Sequence, residues 1–309
     1  MNRIEIGLTE IEGLRMGNAQ NDDARTGVTV LLLGQGAAVG VDISGGGPAS
    51  RETPLLSPTT SSVPVNAIVF SGGSAFGLDA ATGVVHCLEE HGIGFDTGFA
   101  RVPIVVQSCI YDLGIGSATI RPNATMGYQA CTDALRDNHP LPIINYSLQV
   151  GAGSGATVGK MAGMEHSHKS GMGIYAVRMG DVMVGAIVVV NALGDVYDSR
   201  SGHKIAGMDN TECVEALYDV YKPTNIYQGQ NTTIGAIVTN AQFDKAALTK
   251  IAAMTRAGYD RSIRPIGTLF DGDAIYCASL GSEVIDLNVI GTLAAEVMEE
   301  AVRRSVAMR

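Results

Sequence analysis

The stretch from Asn231 to Asn240 places two hydroxyl side chains, Thr232 and Thr233, directly before an apolar, β-branched run. Such a run predicts a largely buried strand, which would hold a threonine at its beginning rigidly. Residues 222–230, just before it, contain a proline, a glycine and side-chain amides, which is typical of an exposed loop. One interpretation is that the chain cuts itself between Asn231 and Thr232, so that the Thr232 hydroxyl becomes a nucleophile and its freed amine the base. The other is an ordinary strand that carries threonines, and the stretch by itself favours that one.

A glycine-rich loop at 151–160 ends in Lys160. It is similar to a phosphate-binding loop, but Ser154 occupies the place of the first glycine, and Met161 follows the lysine where such loops have serine or threonine. We therefore reject nucleotide binding. What remains is a loop that delivers one lysine, which could lower the pKa of a neighbouring amine if it is partly removed from water.

Three further patterns carry polar side chains that are capable of chemistry. Asn191 ends a predicted buried strand, where its amide could donate a hydrogen bond into a pocket or simply form a turn. Asp271 and Asp273 are separated by one glycine, and this spacing fits a turn, a metal-binding bend or hydrogen-bond acceptors for a cation. His166 and His168 could bind a metal from one side of a short strand. Because no third ligand is in sight, ordinary loop histidines are favoured and no metal site is predicted.

Tyr111 and the turn at 71–74 each allow two interpretations, one structural and one functional. Tyr111 follows an apolar run and could be a core tyrosine whose hydroxyl is satisfied. The turn at 71–74 contains two glycines before a predicted helix, so its backbone N–H groups could bind an anion or a carbonyl oxygen. The simpler interpretation, that the glycines only let the turn close, is favoured there.

The elements that must position these residues are strands and helices in alternation. Residues 1–47 predict a meander of three short strands that opens a mainly antiparallel sheet. A β-hairpin is predicted from Ile174 to Val190. Helices are predicted from a cap at Ser74 onwards, from Phe243 to Gly258 and from Leu287 to Arg304.

Composition bounds the class of protein. With 309 residues, 46% of them apolar, and no repeat or linker, the chain is expected to form a single domain, 1–309. A formal charge of −10 without any cluster of lysine and arginine argues against a nucleic-acid partner. We find no signal-like start and no apolar run of about 18 residues, so no membrane partner is expected and the cytoplasm is the expected location. The five cysteines lie far apart without a CxxC pair, which predicts buried thiols in a reducing compartment.

Six stretches in order along nearly the whole chain resemble one family. They are DDARTGVTV at 22–30, VFSGGSAFGLDAATGV at 69–84, GSGATVGK at 153–160, VVVNALGDVYD at 188–198, NTTIGAIVTNA at 231–241 and IRPIGTLFDGDAIY at 263–276. The chain resembles the DmpA-like peptidases, which comprise L-aminopeptidase/D-amidase/D-esterases, β-peptidyl aminopeptidases and nylon-oligomer hydrolases. A match through six separate stretches is far more specific than any single motif, and it favours self-cleavage before Thr232.

The resemblance implies a fold and an assembly. The expected fold is a four-layer αββα sandwich, similar to that of the N-terminal-nucleophile hydrolases. Cleavage would give a heavy fragment 1–231 and a light fragment 232–309 of 309 − 231 = 78 residues, which stay together. A homotetramer or larger homo-oligomer is implied, and no cofactor is expected.

The resemblance also implies roles for individual residues. Thr232 resembles the nucleophile, with its own α-amine as general base, because an α-amine titrates near neutrality. Asp271 and Asp273 resemble the acidic pair that holds and polarises that amine and hydroxyl. Before processing, the same hydroxyl would attack the carbonyl carbon of Asn231, and water would cleave the resulting ester.

The remaining implied site residues line the nucleophile. Lys160 and Asn191 match lining positions, with Asn191 as the oxyanion donor, and Tyr111 resembles a pocket tyrosine. The implied function is a self-processing amide hydrolase, an aminopeptidase or amidase, acting on peptide or amide substrates. One alternative is an endo-hydrolase of 6-aminohexanoate oligomers, since the threonine nucleophile and Asp271-Gly272-Asp273 look like that group. The other is a non-catalytic protein that binds an amine-bearing metabolite in the same pocket.

Overall fold

The computed structural model describes residues 2–136, 149–220 and 231–306. The predicted loop at 222–230 lies outside the described residues. The strands are β1 (Arg3–Glu5), β2 (Leu14–Asn21), β3 (Thr26–Ile43), β4 (Ser50–Arg51), β5 (Val65–Ser71), β6 (Phe95–Asp96), β7 (Arg101–Val102), β8 (Val105–Cys109), β9 (Thr157–Val158), β10 (His168–Lys169), β11 (Met172–Met179), β12 (Val182–Asn191), β13 (Asp195–Tyr197), β14 (Lys204–Ala206), β15 (Thr232–Ala241), β16 (Ile263–Arg264) and β17 (Ala274–Glu283). The α-helices are α1 (Ala80–Glu90), α2 (Ala124–Leu135), α3 (Cys213–Asp219), α4 (Lys245–Ser262) and α5 (Leu287–Arg304).

Two sheets share the long strand β3. The first sheet has the order β1-β11-β12-β15-β17-β3, and the second continues from β3 through β5 and β8 to β4, with β2 also paired to β3. The beginning of β3 pairs with β2 and β5, and its end, from Ala38 to Ile43, pairs with β17. Most pairs are antiparallel, but β15 runs parallel to β17, and β5 runs parallel to β8. The site strand β15 therefore lies inside the first sheet, with a neighbour on each side.

Three apolar layers show how the sheets and helices stack. The middle layer lies between the sheets, where Leu31 and Leu33 of β3 share a cluster with Ile234 and Val238 of β15. Leu32, on the opposite face of β3, packs in a cluster with α1 and α2. The opposite faces of β15 and β17 pack against α4 and α5. Because neighbouring side chains of a strand point to opposite faces, each central strand is buried on both sides, and the αββα sandwich is confirmed.

Three local predictions differ from the structure. The three-strand meander is wrong, because its second and third strands are one strand: Gly34 and Gly36 have φ angles of 57° and 118° and shift the pairing register without reversing the chain. Ser74 does not cap a helix but opens a 3-10 turn, Ser74–Asp79, before α1. The helix predicted to stop at Gly258 continues to Ser262. A Cβ on this glycine would lie 2.5 Å from the Ala295 carbonyl oxygen, so the glycine answers a packing requirement and is not a helix stop. Gly258 thus permits close packing of α4 on α5.

The other predicted elements agree with the structure. The hairpin is present as β11 and β12, and the last helix has the predicted bounds, Leu287–Arg304. All five cysteines are buried free thiols. Within the described part of the chain, no helix is long and apolar enough to cross a membrane.

Candidate active site

Thr232 is the first residue of β15 and is buried. In the antiparallel pairing of β12 with β15, it lies opposite Asn191, the last residue of β12. On the other side, Asn231 forms a parallel bridge with Asp271, just before β17. The first sheet therefore brings the beginnings of β15 and β17 and the end of β12 to one place, and with them four of the predicted site residues.

The peptide carbonyl of Asn231 is held from two directions. Its oxygen accepts a hydrogen bond from the backbone N–H of Gly272 at 2.9 Å. It also accepts a hydrogen bond from the hydroxyl of Thr232. The Thr232 oxygen is thus placed against the carbonyl group of the bond that self-cleavage would break, and one N–H already points at the oxygen on which negative charge would develop.

Gly272 is a residue whose importance sequence reasoning missed. A Cβ at this position would lie 2.8 Å from the carbonyl oxygen of Gly47 and 2.9 Å from Oγ1 of Thr232. Only a glycine lets the backbone N–H approach the Asn231 carbonyl without displacing these neighbours. The sequence signal was its place between two aspartates, which shows nothing about the close approach.

Asp273 is fully buried and fixes the beginning of β15. Its Oδ1 accepts the backbone N–H of Thr233 at 2.6 Å, and its Oδ2 accepts the N–H of Gly267 at 2.9 Å. Burial, and after it the neighbouring Asp271, raises the pKa of Asp273 well above its ordinary value. This carboxyl group is therefore a buried hydrogen-bond acceptor for the backbone N–H of the residue that follows Thr232.

Asp271 is also fully buried, and its two oxygens have different surroundings. Oδ2 accepts hydrogen bonds from the hydroxyl of Thr268 at 2.6 Å and from its backbone N–H at 3.0 Å. Oδ1 is buried and has no hydrogen-bond partner among the described residues. Burial raises the pKa of Asp271, against the opposing effects of hydrogen bonds from Thr268 and from the backbone of Leu193, and of the positive charge on Lys160. A buried carboxyl oxygen without a partner is unusual enough to indicate a functional position.

Lys160 is 5% exposed and points at the end of β12. Its Nζ donates to Oδ1 of Asn191 at 2.7 Å and to the backbone carbonyl of Asn191 at 3.0 Å. Burial lowers the pKa of Lys160 to about 7. The nearby carboxyl groups of Asp271, Asp112 and Asp273 oppose that shift. Near neutral pH this lysine is therefore poised between its charged and neutral forms.

Asn191 connects the lysine to Tyr111. Its Oδ1 accepts from Lys160 and, at 3.2 Å, from the backbone N–H of Thr157, while its Nδ2 donates to the carbonyl oxygen of Tyr111 at 2.9 Å. Asn191 is fully buried. One of its two amide hydrogens is thus engaged, and no acceptor for the other lies within hydrogen-bond distance in the described part of the chain. Tyr111 contacts this network through its backbone carbonyl, whereas the prediction concerns its side chain, which is half-buried.

Six of the seven predicted residues are thus linked by hydrogen bonds or strand pairing, and Asp273 contacts Thr233, the residue after Thr232. Their catalytic roles stay predictions. The two histidines considered as metal ligands lie outside this network. His168 lies 3.1 Å from Asp209, and His166 lies 3.9 Å from Glu165. In the described ranges, no three His, Cys, Asp or Glu side chains are grouped so that they could hold a metal.

The turn at 71–74 uses its own N–H groups inside the protein. Gly72 donates to the carbonyl of Gly27, Gly73 to the carboxyl group of Asp112 at 2.7 Å, and Ser74 to a backbone carbonyl at 2.9 Å. These N–H groups are already engaged, so the anion-site interpretation of this turn is wrong.

Comparison with known proteins shows the family to which the chain belongs. The family model described as Peptidase family S58 matches residues 7–309. The chain belongs to peptidase family S58. The resemblance to the DmpA-like peptidases is therefore confirmed, and the chain is a hydrolase of peptide or amide bonds.

Curated relatives of this S58 member carry two kinds of name. A protein of Mycobacterium leprae named an uncharacterized aminopeptidase is 34% identical over 294 residues, which is 89% of this chain and 78% of that protein. Another of that name from Mycobacterium tuberculosis (strain ATCC 25618 / H37Rv) is 35% identical, covering 90% and 82%. A 6-aminohexanoate-oligomer endohydrolase of Kocuria sp. is 28% identical, covering 95% and 84%.

Solved structures agree on the fold of the S58 chain. A beta-aminopeptidase of Burkholderia sp. superposes with a TM-score of 0.65 at 18% identity, covering 97% of this chain and 85% of that one. An L-aminopeptidase D-Ala-esterase/amidase from Ochrobactrum anthropi, whose title describes a variant of the Ntn hydrolase fold, superposes with a TM-score of 0.66 at 16% identity and the same coverages. These likenesses support the αββα architecture already seen in the sheets.

Proposed function

We propose that this S58 hydrolase cuts itself between Asn231 and Thr232 and then uses Thr232 as an N-terminal nucleophile, acting as an aminopeptidase or amidase. The observation that carries the proposal is the pair of hydrogen bonds on the Asn231 carbonyl oxygen, one from the Thr232 hydroxyl and one from the Gly272 N–H.

The cutting step would be an N-to-O acyl shift. Oγ1 of Thr232 attacks the carbonyl carbon of Asn231, and the Gly272 N–H stabilises the negative charge on the oxygen. The C–N bond then breaks, the hydroxyl proton passes to the departing amine, and the acyl group of Asn231 is left as an ester on Oγ1. Water hydrolyses this ester to the Asn231 carboxylate and restores the hydroxyl.

Turnover of a substrate would use the freed α-amine. An α-amine has an ordinary pKa of about 7.7–8.0, so it can accept the hydroxyl proton of Thr232 at neutral pH. A protonated Lys160 nearby would keep that amine in its neutral form. The second amide hydrogen of Asn191 would stabilise the oxyanion, while Asp271 and Asp273 hold the beginning of β15 in place.

The two fragments, 1–231 and 232–309, would stay associated after the cut. The light fragment contains β15 and β17, which lie inside the first sheet between β12 and β3 of the heavy fragment. It also contains α4 and α5, which cover one face of that sheet. Separating the fragments would expose a buried apolar layer and break three strand pairings, β12–β15, β17–β3 and β13–β16, so one folded unit is maintained.

Aminopeptidase or amidase activity is favoured because the relatives named aminopeptidases are 34–35% identical, against 28% for the oligomer endohydrolase. The endo-hydrolase is the second candidate, supported by that relative together with the threonine at 232. A panel decides between them: an L-amino acid p-nitroanilide, a D-amino acid amide, a β-amino acid amide and a 6-aminohexanoate oligomer, with Thr232→Ala as the inactive control. Release from amino-acid derivatives supports our proposal, and release from the oligomer alone overturns it. No turnover together with thermal stabilisation by an amine ligand would indicate the binding protein instead.

A homotetramer in the cytoplasm completes the proposal. The fully exposed Phe99, with Phe95 and Val102 beside it on the β6–β7 hairpin, offers apolar surface for a subunit contact. The five unpaired, buried thiols suit a reducing compartment. Light scattering after size exclusion tests the assembly, and a monomer would contradict it.

A further inference from the structure

Asp112 is a buried carboxyl group at the place where four chain segments meet. It is 3% exposed, and it accepts hydrogen bonds from the hydroxyl of Thr26 at 2.6 Å and from the N–H of Gly73 at 2.7 Å. A Cβ added to Gly72 would lie 1.9 Å from its Oδ2, and one added to Gly155 would lie 2.5 Å from its Cβ. The loop that delivers Lys160 is thus packed directly onto this side chain.

The backbone beside Asp112 is fixed, and it carries the carbonyl that orients Asn191. Ile110 donates its N–H to Ser71 at 2.8 Å and accepts the N–H of Ser74 at 2.9 Å. The next carbonyl, that of Tyr111, accepts Nδ2 of Asn191 at 2.9 Å. This contact is one of those that fix which end of the Asn191 amide faces which neighbour.

The orientation of that amide matters for Lys160. With Nδ2 held by Tyr111, Oδ1 faces the two donors Lys160 Nζ and Thr157 N–H. If the amide were turned over, Nδ2 would face both donors and neither could form a hydrogen bond. The Tyr111 carbonyl and the two donors therefore favour the same orientation, the one in which the lysine and the asparagine are bonded.

We infer that Asp112 is a positioning residue for the active site: by fixing the Tyr111 turn and the glycine loop, it orients the Asn191 amide and holds Lys160 against it. The effect of Asp112 on catalysis rests on the proposed function, whereas its effect on the positions of Asn191 and Lys160 does not.

Asp112 also acts on Lys160 through its charge. The titratable groups that face Lys160 are Asp271, Asp112, Asp273 and Cys213, and those that face Asp112 include Lys160, Lys169 and Cys109. Lys169 donates to the backbone carbonyls of residues 153, 156 and 170, and it acts on Asp112 through its charge. Burial raises the pKa of Asp112 itself, against the hydrogen bonds from Thr26 and Gly73. In its charged form, Asp112 raises the pKa of Lys160 towards its ordinary value. Removing the charge is therefore expected to move the titration of Lys160 to lower pH.

Two variants separate geometry from charge. In Asp112→Asn, the amide oxygen can still accept from Gly73 and the amide nitrogen can donate to Thr26, so the fold and the contacts persist while the charge is lost. Asp112→Ala removes both contacts. Asp219→Asn, the same substitution on the exposed end of α3, is the matched control.

The expected kinetic result is specific to positioning. In Asp112→Ala we expect kcat to fall about 10²-fold with KM little changed, because a displacement of about 1 Å at a catalytic group has that effect. In Asp112→Asn, which melts near the wild-type temperature, the pH dependence of kcat/KM shifts to lower pH. Asp219→Asn changes neither. Unchanged kcat and an unshifted pH profile in both Asp112 variants would overturn the inference.

A second readout needs no turnover. The full-length chain has six lysines, so the Lys160 side chain can be followed by NMR with ¹³C-lysine and assigned by its absence in Lys160→Arg. We expect a lower titration midpoint of Lys160 in Asp112→Asn and faster solvent exchange of the Asn191 side-chain amide in Asp112→Ala. If both stay as in the wild type, Asp112 does not position the site. A wild-type chain that is neither cut nor active would refute the proposed function, and this readout would still decide the role of Asp112.

Discussion

Replacing Gly272 with alanine is expected to slow the self-cleavage of the chain. The new Cβ would lie 2.8 Å from the carbonyl oxygen of Gly47 and 2.9 Å from Oγ1 of Thr232, closer than a side-chain carbon can remain. The segment must therefore move, and the N–H of residue 272 loses its 2.9 Å hydrogen bond to the carbonyl oxygen of Asn231. Losing one such donor costs about 3–4 kcal/mol of transition-state stabilisation, which corresponds to a rate about 10²–10³-fold lower.

Cell-free synthesis gives this experiment a defined starting time. Intact-mass spectrometry then follows the loss of the full-length chain and the appearance of the 78-residue light fragment (309 − 231) that begins at Thr232. Gly114→Ala is the matched control, because its new Cβ would meet nothing closer than Met164 Cγ at 3.8 Å. Equal cleavage rates for both variants, with equal melting temperatures, would refute the role assigned to the Gly272 N–H.

Three further substitutions test the other parts of the site. Asn191→Ala is expected to lower amide turnover about 10²–10³-fold while the chain is still cut, and equal loss of both reactions would contradict separate oxyanion donors. Lys160 has a pKa of about 7 in the folded chain, against an ordinary 10.5. Between these two pH values the unfolded chain binds more protons than the folded one, so the free energy of unfolding of the wild type should rise with pH, by at most about 5 kcal/mol across the whole window. In Lys160→Met, urea unfolding should show no such rise in the free energy of unfolding between pH 7 and 9.5. The same change with pH in the wild type and the variant would contradict the lowered pKa of Lys160. Asp273→Asn leaves the N–H of Thr233 or Gly267 without its acceptor and should destabilise the fold by about 1–3 kcal/mol, seen as a lower melting temperature.

Elements with strong local patterns could be predicted from the sequence. The strand that begins at Thr232 and the helix from Leu287 to Arg304 follow from runs of apolar residues with the right period and flanking turn residues. The αββα arrangement did not follow from any pattern and came from the resemblance of six separate stretches. Local patterns determine elements, whereas the stacking of sheets depends on contacts between distant segments.

The parts that could not be predicted depend on such distant contacts. The carboxyl group of Asp112 meets the hydroxyl of Thr26, 86 residues earlier in the chain. The Gly272 N–H reaches the carbonyl of Asn231, 41 residues earlier in the chain (272 − 231), and the close approach that requires glycine exists only in the folded chain. The joining of two predicted strands into β3 likewise depends on Gly34 and Gly36 adopting positive φ angles, which turn-forming glycines also adopt.

The central claim is that Thr232 becomes an N-terminus and does the chemistry. The most direct measurement is the intact mass and N-terminal sequence of the purified wild-type protein beside those of Thr232→Ala. We predict two fragments for the wild type, 1–231 and one starting at Thr232, and a single uncut chain for the variant. A wild-type chain that stays whole after prolonged incubation yet hydrolyses amides, or a cut at any other bond, would contradict it.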